Sequence, residues 1–216
     1  MAALDCTLLT DGSSDAVLLP ILKWVVRQHA AGVGVNCEWA DMRQLPRPPR
    51  TLADRVIKAN EIHPCQVLFV HRDAESQPSA FRYAEVEEAV AEARRKGFRT
   101  PHICVVPVRM QEAWLLLDEA AIRLASGNPN GRMLLNLPDP GAIERIADPK
   151  NLLHGMLTSA SGLQRRRKKK FRPGVHARLV AERMRDFACL RGLPAFQRLE
   201  NDVEALIANL HLDASS

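Results

Sequence analysis

The chain has 216 residues, 46% hydrophobic and 25% charged, the profile of a folded domain rather than a disordered segment. Its 30 Lys and Arg against 25 Asp and Glu give a net charge of +5, and six of those cations form a single run, Arg165–Lys170. Without that run 24 basic residues face 25 acidic ones, so the surface as a whole is no polyanion trap. No stretch reaches the roughly 18 apolar residues of a membrane-spanning helix. The N-terminus places an acid at Asp5 and no basic residue ahead of its apolar segment, unlike a secretory leader. Five cysteines, at positions 6, 37, 65, 104 and 189, are odd in number, widely spaced and without a Cys-x-x-Cys pair. That usage disfavours a disulfide framework and a structural zinc site, and the expectation is a cytoplasmic protein with no membrane contact.

In chain order, Leu4–Thr10 is an apolar run of strand length, ended by Asp11-Gly12-Ser13-Ser14, which offers a turn and helix caps. Residues 15–29 read as a mostly apolar helix, with Pro20 expected to kink it. A second strand is predicted over 33–40, then a loop over 43–50 with three prolines and three arginines. A helix over 51–62, a strand over 66–71 and a Glu/Ala/Arg-rich helix over 81–96, stopped by Gly97, follow. A fourth strand is predicted over 102–108 and a fourth helix over 111–125.

Strands alternating with helices, and lacking an in/out pattern of their own, predict an α/β fold with a parallel sheet covered on both faces. Past Gly127 the strand signals end. Turns at 128–131 and 138–141 lead into helical sequence up to about Leu210. The expected organisation is an α/β domain over 1–127 and a helical C-terminal extension over 128–216, carrying the basic run and packed on the core.

Ligands of open parallel sheets gather beyond the carboxyl ends of the strands. There the first strand delivers Asp11 and Asp15, the third His71, Arg72, Asp73 and Glu75, and the fourth Arg109 and Glu112. Each acid also has an ordinary role as a turn residue, a solvated loop acid or a complement to a helix dipole. Acids from three separate loops converging on one sheet edge form instead the pattern of a hard-cation site for Mg²⁺ or Mn²⁺. Asp118 lies six residues after Glu112, about 240° around a regular helix, and is left out of that set. Trp114, with Leu115 to Leu117, reads as a helix face packed on the sheet.

His71-Arg72-Asp73 matches the kinase catalytic loop only in those letters, since no Gly-rich loop, strand lysine or following Asn accompanies it. A phosphorelay receiver would need a lysine after a fifth strand, and no fifth strand is predicted. The segments Leu8–Asp15, Val67–Glu75 and Val106–Asp118 resemble the TOPRIM-type α/β domains of topoisomerases, primases and overcoming-lysogenization-defect nucleases. Within that group the chain is most similar to small TOPRIM-like proteins encoded beside an ABC-type ATPase in bacterial defence loci, over about the first 130 residues.

The TOPRIM pattern has a glutamate before the glycine that closes the first strand and an Asp-x-Asp pair after the third. Here the glutamate position holds Asp11, and the pair is either His71-x-Asp73 or Asp73-x-Glu75, of which the second is favoured. The resemblance implies a Mg²⁺- or Mn²⁺-dependent phosphodiester-cleaving hydrolase, the effector of an antiviral defence system gated by an ATPase partner. In that reading Asp11, Asp73 and Glu75 bind the metal. Glu112 is a further ligand or a base, His71 a proton donor, and Arg72 and Arg109 clamp the phosphate.

Arg165, Arg166, Arg167, Lys168, Lys169 and Lys170 read as a contact to the phosphate backbone of DNA or RNA, with a solvated loop as the plain alternative. The rival functional reading is a non-catalytic subunit that binds nucleic acid or a partner through the same edge, its metal chemistry lost with the substitution at Asp11. Self-association into a homo-oligomer is left open.

Overall fold

The computed structural model describes residues 3–12, 14–74, 77–108 and 111–213. Four strands form one parallel sheet: β1 (Ala3–Leu9), β2 (Gly34–Ala40), β3 (Val67–His71) and β4 (His102–Val105), in the order β2-β1-β3-β4. The fold is α/β with a parallel, Rossmann-like core. All five residues of β3 are buried, as a continuous Val-Leu-Phe-Val-His run between two covered faces must be. β2, on one edge, alternates buried and exposed positions instead.

Helix α1 (Leu18–His29) buries Leu18, Ile21, Leu22, Val25 and Val26 on one face of the sheet. Helices α2 (Leu52–Ile62) and α3 (Ser79–Arg95) cover the other face, against Leu68, Val70 and Cys104. Strand order reverses between β1 and β3, because the chain first steps from β1 to β2 and then returns to pair β3 on β1's other side. The cleft beyond that reversal is where a parallel sheet opens a site. Leu9 pairs with Val70, so the segment starting at Thr10 and the one starting at His71 leave the sheet side by side.

Three local features differ from the sequence expectation, each for a physical reason. Residues 14–17 form a 3₁₀ turn before α1, which puts Pro20 in the helix's first turn; no intrahelical partner is lost there and no kink is required. β4 stops at Val105, since Pro107 has no N–H to donate to a ladder. The Pro107 carbonyl still accepts Ala74 N–H at 3.2 Å, which ties the segment after β3 to the end of β4.

The helix predicted over 111–125 is two elements: a 3₁₀ turn (Gln111–Leu115) and α4 (Glu119–Ala125). Asp118 separates them as the cap of α4, accepting Ala121 N–H at 2.9 Å.

Beyond Gly127 come α5 (Pro149–Ala160), α6 (Arg165–Lys170), α7 (Pro173–Arg183) and α8 (Pro194–Asp213). Three of these begin on proline, whose fixed φ suits a first helical position. Their apolar faces join the same core as α1 and the sheet. Phe196, fully buried in α8, meets Trp114 edge-on with ring centres 5.6 Å apart and Trp24 at 6.4 Å. Among the described residues no helix is long and apolar enough to cross a membrane.

Phe196→Ala should cost roughly 3–5 kcal/mol, lowering Tm by on the order of 10 °C. Because the core is shared, helix and near-ultraviolet aromatic signals should be lost in one transition. A two-step melt, with the sheet outlasting the C-terminal helices, would show that the extension unfolds on its own.

Candidate functional site

The cleft at the strand reversal is a cavity of about 300 Å³ lined by Asp11, Gly12, Ser14, Asp15, His71, Arg72, Asp73 and Arg82. Asp15 lies at its floor, 5% exposed, at the start of the turn into α1. Three donors fix its carboxylate: Gly12 N–H at 2.8 Å, Ser14 Oγ at 3.0 Å and Gln111 Nε2 at 3.1 Å. A side chain at position 12 would bring its Cβ to 3.2 Å from Asp15 Oδ1, so this approach of backbone to carboxylate favours glycine.

His71 ends β3 and is buried. Its Nδ1 lies 3.0 Å from the Val105 carbonyl. A carbonyl can only accept, so Nδ1 carries the proton and Nε2 presents its lone pair. That lone pair faces two carboxylates, Asp73 Oδ1 at 3.5 Å and Asp15 Oδ2 at 3.9 Å. Burial holds the imidazole below its ordinary pKa, against the pull of Asp15, so a proton is a poor bridge between the three groups. The three ligand atoms lie within 4.8 Å of one another, an arrangement that a metal cation would satisfy.

Asp11, the first acid after β1, is engaged differently. Its carboxylate accepts from the guanidinium groups of both Arg55 and Arg72. Arg55 also donates to the Thr10 carbonyl at 2.7 Å. Arg72 continues to Glu85 at 2.6 Å, Glu85 accepts from Arg82 at 2.9 Å, and Arg82 Nε reaches the Asp73 carbonyl at 3.0 Å. Three arginines and two acids thus form a belt around the Asp15–His71–Asp73 cluster. Desolvated guanidinium groups in such a belt are well suited to an incoming phosphate, which accepts from arginine in paired hydrogen bonds.

Glu112 sits behind this cavity. It is 4% exposed and lines a separate space of about 120 Å³ with Ser14, Lys150, His154, Gly174 and Arg178. Its nearest cation is Lys150 Nζ at 3.8 Å, and Oε2 has no hydrogen-bond partner among the described residues. Burial raises its pKa, with Lys150 opposing and Asp15 reinforcing the shift. Ser14 lines both spaces, so Glu112 and the cluster flank the same turn.

Of the site residues expected from sequence, His71, Arg72, Asp73 and Asp11 come together in the front cavity, and Glu112 lies behind it. Glu75 and Arg109 lie outside the described residues. Gln111 and the belt members Arg55, Arg82 and Glu85 had no sequence signal. Asp15 had one, since it follows the first strand, but first-turn acids are common.

The basic run forms α6, with all six side chains exposed and none in an ion pair among the described residues. Phe171 beside it stacks on His176, ring centres 4.3 Å apart, which occupies one face of the ring. Helix α7 follows at once and packs on the 3₁₀ turns that hold Asp15 and Glu112, so the run adjoins the wall of the site.

The raised Glu112 binds its proton more readily folded than unfolded. Its share of stability is therefore present below about pH 4.5 and is lost as pH rises through the folded pKa. Glu112→Gln, which carries no charge to bury, should gain Tm relative to the native protein between pH 4 and pH 7. Parallel Tm–pH curves for the two proteins would place the carboxylate in contact with water.

No family model, no curated protein and no solved structure matches the chain.

Proposed function

We propose that the protein is a divalent-metal-dependent hydrolase of nucleic-acid phosphodiesters, with Asp15, His71 and Asp73 holding the ion. The observation that carries this reading is the His71 Nε2 lone pair directed at two carboxylates, 3.5 and 3.9 Å away. Imidazole beside two carboxylates suits Mn²⁺ better than Mg²⁺, which prefers oxygen alone. Bound there, the ion supplies a hydroxide-like nucleophile and stabilises charge on the leaving oxygen.

The chain's own groups supply the rest. The Val105 carbonyl and the donors to Asp15 hold the ligands in orientation, as partners behind a metal site do. Arg72 and Arg82 line the cavity and meet the phosphate, with Asp11 and Glu85 as the counter-charges it displaces. Held as a ligand, His71 would orient the ion and would not serve as the proton donor to the leaving group.

Helix α6 supplies affinity. Six like charges on six residues repel one another at every i,i+3 and i,i+4 spacing, a strain that a phosphate backbone relieves. The likeness of the strand-end motifs to TOPRIM domains supports the same chemistry. The ATPase partner and the defence role implied by that likeness belong to this proposal, as does a cytoplasmic setting, in keeping with free cysteines at all five positions.

Mn²⁺ titrated into the full chain should bind saturably, and Asp73→Ala should abolish that binding while leaving the fold intact by circular dichroism. With Mn²⁺, the native protein should nick supercoiled DNA or cleave labelled RNA, and Asp73→Ala should slow cleavage about 100-fold or more. The binding-subunit reading, favoured by the capture of Asp11 between two arginines, predicts nucleic-acid binding with no cleavage at any metal concentration.

Changing Arg165, Arg166, Arg167 and Lys168 to Ser should flatten the dependence of binding on salt by up to about 0.9 log–log units per lost phosphate contact. An unchanged slope would make α6 a solvated helix without a role in binding.

A further inference from the structure

A second group of metal-binding side chains lies on the open edge of the sheet. His102 opens β4 and Cys104 follows two residues on, so both side chains leave the same face of the strand. Glu87, on α3, reaches both, with Oε1 at 3.1 Å from His102 Nε2 and 3.6 Å from Cys104 Sγ. The three ligand atoms lie within 4.8 Å of one another. Helix α8 closes the space against β4, and a cavity of about 310 Å³ results, lined among others by Tyr83, Arg198 and Asp202. Cys104 directly precedes Val105, whose carbonyl receives His71, but the two side chains leave opposite faces of the sheet, so this group is separate from the strand-end cluster.

We propose that Glu87, His102 and Cys104 bind a zinc-class dication, with Asp202 supplying balancing negative charge from α8. Donor spacing is the first support. Around a tetrahedral zinc with ordinary bond lengths, a carboxylate oxygen stands about 3.4 Å from an imidazole nitrogen and about 3.6 Å from a thiolate sulfur. The two separations here, 3.1 and 3.6 Å, need little adjustment to admit the ion.

Donor chemistry is the second support. Sulfur and imidazole select zinc over magnesium, and three protein ligands leave a fourth position open to the cavity for water.

Charge is the third. Two carboxyl groups, Glu87 and Asp202, line the space with one guanidinium, Arg198, which lies 3.4 Å from the centre of the Tyr83 ring. With Cys104 as a thiolate the group carries an excess of two negative charges, which a dication cancels. The side chains of Cys104 and His102 are largely buried while that of Glu87 is 60% exposed, so the ion has a route in from solvent. Bound there, it would tie α3 to the edge strand.

Co²⁺ titrated into the full-length protein tests this. A thiolate-to-cobalt charge-transfer band should grow to saturation, bleach when Zn²⁺ is added and survive excess Mg²⁺. Cys104→Ser should abolish the band, His102→Ala should weaken binding by at least about 100-fold, and Asp73→Ala should leave it intact. Absence of the band in the native protein, or its persistence in Cys104→Ser, would overturn the proposal. Should Cys104→Ser fail to fold, the largely exposed Glu87→Gln decides: Zn²⁺ affinity at least about 10-fold weaker supports the site, and unchanged affinity refutes it.

Discussion

Parallel pairing of β1 with β3 is the constraint on which the rest of the molecule depends. The pair is central, flanked by β2 and β4 and covered by helices on both faces, so its backbone polar groups are satisfied and its ends are rigid. With Leu9 held opposite Val70, the chain must leave the sheet twice at one place. His71 is the first β3 residue beyond that pairing; it pairs instead with Val105 of β4, whose carbonyl its ring also meets. The position of the imidazole therefore belongs to the sheet itself and not to a loop.

Around this fixed point the charges sort into layers. Asp15 and Asp73 face the imidazole lone pair, while Asp11 and Glu85 are held by arginines. An acid engaged by two guanidinium groups is a weak competitor for a cation, which sets Asp11 apart from the inner cluster. Glu112, behind the same turn, lies buried with Lys150 Nζ at 3.8 Å, and burial raises its pKa. Under the proposed function a phosphodiester would use both kinds of surface at once, a metal at its oxygens and the arginines at its charge.

Much of this arrangement was legible in the linear chain. The Val67–Val70 run reads as a buried strand, and the acids after the first and third strands fall on one sheet edge whatever the helices do. The basic run was plain from composition. Other features depended on single side chains competing with the regular pattern. Asp118 captures a backbone N–H and cuts one expected helix in two, and Pro107 ends β4 early. Cysteine spacing carries no signal for the grouping of Glu87 with His102 and Cys104, which meet across 15 and 17 residues.

The sequence by itself determined the alternation of strand and helix, the sheet edge on which the acids gather, and the exposure of α6, since periodicity and local charge are properties of neighbouring residues. Which acids serve which partners was decided only by the tertiary structure. Asp11 meets arginines 44 and 61 residues away, and Asp15 meets Gln111 across 96 residues. Contacts of that range follow from strand order and from how helices settle on the sheet, and two acids four positions apart in the chain read alike until the fold turns one toward arginines and the other toward neutral donors.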